Sequence, residues 1–189
     1  GLGPAVKSAT VFPGNAAKGA PAINGGVSLY SDDLGQLEAI VDFHLVTKWK
    51  TAGDSLLAAW RLARADASVI VIVGAGAVAR SLVAAYSAGF PGASFLIWSR
   101  TGAKAEALAR DFDHVTAVSD LAAAVAKADI VTCATMSTDP VLRGEWVSPG
   151  THVDLIGAYR PDMREADDTA LTRAQVFVDS LDTTVGHIG

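Results

Sequence analysis

The residues best suited to chemistry in this sequence are two glycines, Gly74 and Gly76, which follow the β-branched run Val69 to Val73. Such a run predicts a buried parallel strand, and the first glycine permits a tight turn after it. The second glycine lets backbone approach a diphosphate at the start of the next helix, where Ala77 and Val78 stand. The pattern predicts a dinucleotide-binding turn, although close packing of a helix on a strand also uses such glycines.

The choice between NAD and NADP depends on the residues that follow the next predicted strand, Ser94 to Trp98. An NAD site usually has an acid there for the ribose hydroxyl, whereas an NADP site replaces the acid with arginine or a hydroxyl. Here the residues are Ser99, Arg100 and Thr101. A guanidinium binds a phosphate dianion through two parallel hydrogen bonds, so the sequence favours NADP, with NAD as the alternative. Arg100 also suits a solvated position at a helix start.

Two later strand ends supply further candidate contacts with a cofactor. Ala134 and Thr135 follow a predicted strand, and Gly157 follows another. Ligands of open parallel sheets bind at the carboxyl ends of the strands, so we expect these small or polar residues to meet the nicotinamide end. Tyr159, Asp162 and Glu165 come next along the chain and are expected near the cleft, with exposed loop polarity as the alternative for each. For Glu165 we expect ordinary exposed loop polarity.

Strands and helices must hold these loops in place, and the pattern of predicted strands and helices changes near Asp66. Residues 1 to 66 predict an opening strand, a hairpin around Ser31 to Gly35 and a helix from about Leu45 to Ala65. Residues 67 to 189 alternate short apolar strands with helices and end in a last predicted strand, Val176 to Asp179. The expected fold is α/β: a Rossmann-type doubly wound parallel sheet plus part of a smaller α+β substrate and dimerisation domain.

Composition excludes several classes of function. The chain has 189 residues, a net charge of -5 and scattered basic residues, which argues against binding nucleic acid or an anionic membrane. No apolar run is long enough to span a bilayer. The single cysteine, Cys133, forms no internal disulfide, which favours a reducing cytoplasm. The four histidines lack the spacing of metal ligands, so we expect no metal.

Five motifs together resemble the ornithine cyclodeaminase/mu-crystallin family. They are AVKSATVFPGN, KTAGDSLLAA, VIVGAGAVA, DIVTCATMS and HVDLIGAYRPDMRE, in that order along essentially the whole chain. Members of that family are longer at both ends, so the chain resembles a core without the first part of the substrate domain and the closing C-terminal segment. The resemblance implies a small imino or amino acid substrate and a homodimer when full length.

The resemblance also assigns roles to three residues outside the glycine turn. Lys7 matches the family lysine that meets the substrate carboxylate and the reacting centre. Lys50 stands where the family commonly has an arginine. Lysine keeps the positive charge but cannot form the bidentate hydrogen bonds of arginine. Lys50 is therefore a candidate for binding the substrate carboxylate or a cofactor phosphate. Thr51 matches a threonine near the cofactor phosphates.

Departures from the family pattern concern the reaction. Tyr159 stands where cyclodeaminases carry an aspartate that activates water or accepts the amine proton, and Ala22 replaces a threonine. A phenol keeps its proton at neutral pH and does not replace a carboxylate base. We therefore expect an NAD(P)H-dependent oxidoreductase that reduces a pyrroline- or piperideine-2-carboxylate or interconverts an amino acid and its imine, with Tyr159 or a water as proton donor. The alternatives are a cyclodeaminase that releases ammonia and a non-catalytic NADPH-dependent binding protein.

Overall fold

The computed structural model describes residues 3–21 and 23–188, and Ala22 lies outside them. The chain divides into two compact units after Lys50. This division comes earlier than the boundary predicted near Asp66. The long helix α1, Phe43–Leu62, runs across it, and its second half belongs to the α/β unit because Ala52 and Ala59 are buried in that unit's core.

The first unit is a three-stranded antiparallel sheet in the order β1-β2-β3. Its strands are β1 (Ala5–Val11), β2 (Ile23–Tyr30) and β3 (Leu37–Asp42). The predicted opening strand and hairpin are thus confirmed. The hairpin turn is held by the Ser31 hydroxyl, which accepts from the backbone N–H groups of Leu34 and Gln36.

The small residues from Asn15 to Gly26 are typical of a loop, yet β2 already begins at Ile23. A 3₁₀ helix spans Pro13–Lys18, and β2 pairs from Ile23 with the end of β1. Backbone pairing with β1 therefore decides the conformation of this stretch, where side-chain pattern gives little signal.

The second unit contains a five-stranded parallel sheet in the order β6-β5-β4-β7-β8. This confirms the Rossmann-type α/β fold, with β4 at the centre of the sheet. Its strands are β4 (Val69–Val73), β5 (Ser94–Trp98), β6 (Val115–Ala117), β7 (Ile130–Cys133) and β8 (His152–Leu155). Its other helices are α2 (Ala77–Gly89), α3 (Gly102–Ala109), α4 (Leu121–Val125), α5 (Asp168–Arg173) and α6 (Leu181–Thr184).

Strand β4 shows why the sheet is covered on both faces. Successive side chains of a strand point to opposite sides. Ile70 and Ile72 pack in the cluster that contains residues of α1, α2 and α3, whereas Val71 and Val73 pack in the cluster that contains α4. All four side chains are fully buried. The unbroken apolar run predicted such a doubly wound arrangement.

The predicted last strand, Val176 to Asp179, is wrong. This segment has no regular secondary structure and does not pair with β8, the last strand on that side of the sheet as described. Val176 and Phe177 are 59% and 57% exposed. An apolar β-branched run forms a strand only beside a neighbouring strand, and this one lies beside none within residues 3–21 and 23–188.

Across those same residues, no helix is both long and apolar enough to cross a lipid bilayer.

Candidate functional site

The glycine turn after β4 depends on the conformation of Gly74. Its φ of +122° is one that residues with a side chain rarely adopt. A Cβ at this position would also lie 2.6 Å from the carbonyl oxygen of Ala134. The Gly74 N–H donates to the carbonyl of Trp98 at 2.8 Å. Gly74 therefore lets the chain after β4 lie against the residues at the ends of β5 and β7.

Gly76 serves a different purpose. It is the N-cap residue of α2 with an ordinary extended backbone, φ -91° and ψ -169°, and it supplies no capping side chain. A Cβ added here would meet no atom within 4 Å. The protein itself therefore does not require glycine at this position. The missing side chain leaves open space beside the first N–H groups of a helix, the groups that bind anions.

An open groove runs along the carboxyl ends of β4, β5 and β7. We call it the glycine groove, and three loops line it: Gly74, Ala75 and Gly76 after β4, then Trp98, Ser99, Arg100 and Lys104 from β5 to α3, and Ala134 and Thr135 after β7. Because β4 is central and its neighbours leave in opposite directions, this is where the strand order reverses, the usual ligand position in such sheets.

The wall of the glycine groove after β5 carries positive charge. Arg100 is exposed, and no carboxylate among the described residues forms an ion pair with it. The Trp98 indole N–H donates to the carbonyl of Ser119 at 3.2 Å, which fixes the ring in the groove wall. Thr101 is the N-cap of α3 and its side chain makes no capping hydrogen bond.

Three predicted contacts, Ala77, Val78 and Thr101, lie beside the glycine groove and outside its lining. Ala77 lines an adjoining groove between α2 and α3, together with Lys104 and an ion pair between Arg80 and Asp111. Val78 and Thr101 line neither groove. Their backbone positions still belong to the turns that shape both.

Glu165 is the functional candidate that sequence reasoning missed. It is 2% exposed, whereas we expected exposed loop polarity. One carboxylate oxygen, Oε1, accepts from the Thr135 N–H at 2.6 Å and the Thr135 hydroxyl at 2.7 Å. The other, Oε2, accepts from the Gly157 N–H at 2.7 Å. Glu165 thus joins the loops after β7 and β8, both predicted to meet the cofactor.

Burial raises the pKa of the Glu165 carboxyl, and the hydrogen bonds from Thr135 and Gly157 oppose that rise. Gly157 itself has no room for a side chain, because a Cβ would collide with the Thr135 carbonyl and with Glu165. The sequence signal for this arrangement was weak. Glu165 stands between Met163 and Ala166, which are also buried, and such an acid within an apolar loop is the feature to look for.

A second buried polar network fixes the later half of α1 to the sheet. The Asp154 carboxylate on β8 accepts from the hydroxyls of Ser55 and Thr132, and Ser55 in turn contacts the Tyr86 hydroxyl at 2.9 Å. Burial raises the pKa of Asp154, and the hydrogen bond from Ser55 opposes it. This network holds the helix that carries Thr51.

The remaining predicted site residues lie outside the glycine groove. In the first unit, Lys7 is exposed on β1 with its Nζ 4.6 Å from the ring centroid of Phe43, and Lys50 is exposed on α1. In the second unit, Thr51 is half-buried on α1, and Tyr159 is 55% exposed with the Arg160 guanidinium 5.6 Å from its ring centroid. The roles assigned to these four residues stay predictions.

Cys133 and the acidic residues form no metal centre in the part of the chain that the structure describes, where no three histidine, cysteine or acidic side chains cluster to hold an ion. Cys133 is fully buried at the end of β7, and burial raises its pKa. A buried thiol with a raised pKa is chemically inert.

A profile of the ornithine cyclodeaminase/mu-crystallin family matches residues 3–188, which is nearly the whole chain. The chain belongs to this family. The match confirms the resemblance drawn from the five motifs. Among family members with a named activity, the chain is 54% identical to a Delta(1)-pyrroline-2-carboxylate reductase of Paracoccus denitrificans, over 100% of this chain and 61% of that protein.

Solved structures agree with this assignment of fold and family. The Delta(1)-pyrroline-2-carboxylate reductase of Thermococcus litoralis, solved with NADH and L-proline, has a TM-score of 0.79 at 28% identity, over 88% of this chain and 53% of that one. An archaeal alanine dehydrogenase dimer with bound NAD has a TM-score of 0.88 at 28% identity, over 98% and 58%. The chain therefore spans little more than half the length of these relatives.

Proposed function

We propose that the chain is the core of an NAD(P)H-dependent reductase that converts a cyclic imino acid of the pyrroline- or piperideine-2-carboxylate type into the corresponding cyclic amino acid. The observation that carries this proposal is the glycine groove, which joins the open first turn of α2 to the ends of β5 and β7. The 54% identity to a Delta(1)-pyrroline-2-carboxylate reductase supports the choice of substrate class.

The residues in and beside the glycine groove fit a nicotinamide dinucleotide. The space beside Gly76 suits a diphosphate, since a side chain there would fill it. Arg100, with the hydroxyls of Ser99 and Thr101, suits a ribose 2′-phosphate, so we propose NADP as the preferred cofactor, with NAD possible. Ala134, Thr135 and Gly157 suit the nicotinamide end. When bound, the reduced nicotinamide supplies the hydride.

The chain's own residues then have to bind the imino acid and supply a proton. We assign the substrate carboxylate to Lys7, with Lys50 assisting there or at a cofactor phosphate beside Thr51. The hydride adds to the imine carbon, and a proton must reach the nitrogen to give the neutral secondary amine. The Tyr159 hydroxyl or a water donates that proton. Orientation of the substrate carboxylate is worth most, because hydride transfer depends on the approach of the reacting carbon.

The first compact unit, which ends at Lys50, is proposed to belong to the substrate and dimerisation domain, and the full-length protein to be a homodimer. The dimeric archaeal alanine dehydrogenase supports the proposal of a homodimer. The cytoplasmic location stays a prediction from cysteine usage.

Consumption of reduced nicotinamide, followed by absorbance, tests the proposal. Δ1-pyrroline-2-carboxylate and Δ1-piperideine-2-carboxylate are offered with NADPH and then with NADH. We expect oxidation of the cofactor that depends on the imino acid and proceeds faster with NADPH. Release of ammonia from ornithine would instead indicate a cyclodeaminase. Saturable NADPH binding without oxidation of the cofactor would indicate a binding protein.

A further inference from the structure

We infer that Glu165 is a positioning residue of the proposed cofactor site, whose carboxylate sets the loops after β7 and β8 for binding the nicotinamide end. The inference rests on the proposed function. It starts from the position of the carboxylate, which lies beneath two loops that approach the groove from different strands.

The two carboxylate oxygens are matched to three donors. Oε1 receives the Thr135 N–H and hydroxyl, and Oε2 receives the Gly157 N–H. Both N–H groups belong to backbone, so their directions are fixed by the loops themselves. Each loop is therefore held in place by a bond to the same carboxylate, and moving one loop breaks its bond.

The backbone of Glu165 is itself held in place by hydrogen bonds. The Glu165 carbonyl accepts from the N–H groups of Val141 and Leu142, both at 2.9 Å. The preceding residue, Arg164, donates its N–H to the carbonyl of Ser137 at 2.8 Å. Segment 163–166 is thus tied to the chain that continues from the β7 loop. The backbone from which the Glu165 side chain projects is therefore fixed relative to the β7 loop.

An amide cannot replace this carboxylate. Glutamine has one acceptor oxygen and one NH₂ group. The backbone N–H of one of the two loops would therefore face the side-chain NH₂, which is also a donor. A buried donor left unpaired costs more than a lost surface hydrogen bond. Glu165→Gln preserves the shape of the side chain and removes one of the two acceptors.

Protonation of Glu165 has a similar effect, since the acid oxygen that carries the proton becomes a donor. The titratable groups that face Glu165 are the half-buried Asp154 on β8 and the fully buried Cys133 on β7. Burial raises the pKa of the Glu165 carboxyl, which places its protonation above the range of an exposed glutamate. Cofactor affinity should therefore fall as the pH is lowered through the raised pKa of Glu165.

The test measures NADPH dissociation constants of the full chain by energy transfer from tryptophan to the reduced nicotinamide, across a pH series. Glu145→Gln, the same exchange at an exposed side chain, is the matched control. We expect Glu165→Gln to raise the dissociation constant at least tenfold at neutral pH and to remove its pH dependence, and the control to stay within twofold. A Glu165→Gln dissociation constant within threefold of wild type, or an unchanged pH profile, would overturn the inference.

The wild-type protein separates this inference from the proposed function. If it binds neither NADPH nor NADH, both fail; if it binds and Glu165→Gln binds equally well, only the inference fails. Should the variant not fold, NMR of the wild type carries the test. The amide protons of Thr135 and Gly157 should titrate with the midpoint found for cofactor binding, and a different midpoint or no titration would refute the role of Glu165.

Discussion

Replacing Gly76 with alanine should separate cofactor binding from folding. The Gly76 backbone has φ -91° and ψ -169°, which alanine adopts without strain, and the added Cβ meets no protein atom within 4 Å. Alanine restricts the unfolded chain, which stabilises by about 0.4–1 kcal/mol. It is also a poorer N-cap than glycine, which costs about 0.5 kcal/mol. The two effects nearly cancel, so the thermal midpoint should move by less than about 2 °C for a chain of this size.

Cofactor binding should respond much more strongly. The new methyl group occupies the space proposed for the diphosphate and keeps it from the first N–H groups of α2. Losing one hydrogen bond to a charged group costs about 1.5–3 kcal/mol. At about 1.4 kcal/mol for each factor of ten, this corresponds to a dissociation constant roughly 10- to 100-fold higher.

Fluorescence titration with NADPH and thermal melts of the same samples measure the two effects. Gly14→Ala is the control, because its Cβ is equally unhindered and lies in the first unit. A Gly76→Ala protein that binds NADPH within twofold of wild type would refute the diphosphate assignment. A fall in thermal midpoint of more than about 5 °C would show instead that Gly76 is needed for folding.

Three further predictions concern single side chains. Arg100→Ala should weaken NADPH binding about ten- to a hundredfold and leave NADH binding within about twofold; equal weakening of both would contradict the assignment of the 2′-phosphate. Lys7→Ala should raise KM for the imino acid and lower kcat, because a misplaced carbon misses the hydride; a wild-type kcat/KM would place carboxylate binding elsewhere. Asp129 accepts from the N–H groups of Ser68 and Val69, and the bond from Ser68 is the main cause of its lowered pKa. The stability it contributes is present above the pKa of an unfolded aspartate, about 3.9, and is lost as pH falls through the lower folded value. The difference in free energy of unfolding between wild type and Asp129→Asn should therefore shrink on acidification, and a constant difference in denaturant titrations would refute this.

The α/β fold could be predicted because its strands are buried on both faces. Buried parallel strands appear as continuous β-branched runs, and Val69 to Val73 is such a run followed by a glycine turn. The same physical signal misled at Val176 to Asp179, where the run is present and a neighbouring strand is not. A run of residues reports its own preference and carries no information about whether a sheet edge is nearby.

The glycine turn that lines the groove could be predicted from the sequence, whereas the buried side chain that holds the neighbouring loops could not. Gly74 and Gly76 act through local conformation, which the sequence reports directly. Glu165 acts through partners 30 and 8 residues away, Thr135 and Gly157, and no local pattern encodes such distances. Its burial depends on tertiary packing, which overrides the usual preference of glutamate for the surface.

The central place of β4 also has a consequence for the order of synthesis. Strand β4 pairs first with β5, which follows it directly, and its other edge waits for β7, Ile130–Cys133. Until β7 has been synthesised, one edge of β4 keeps its backbone N–H and C=O groups unpaired, beside the apolar side chains of Ile70 to Val73. Such an edge is a template for pairing with other chains. Among the described strands with a neighbour on each side, β4, which leads into the glycine groove, thus keeps an unpaired edge longest during synthesis.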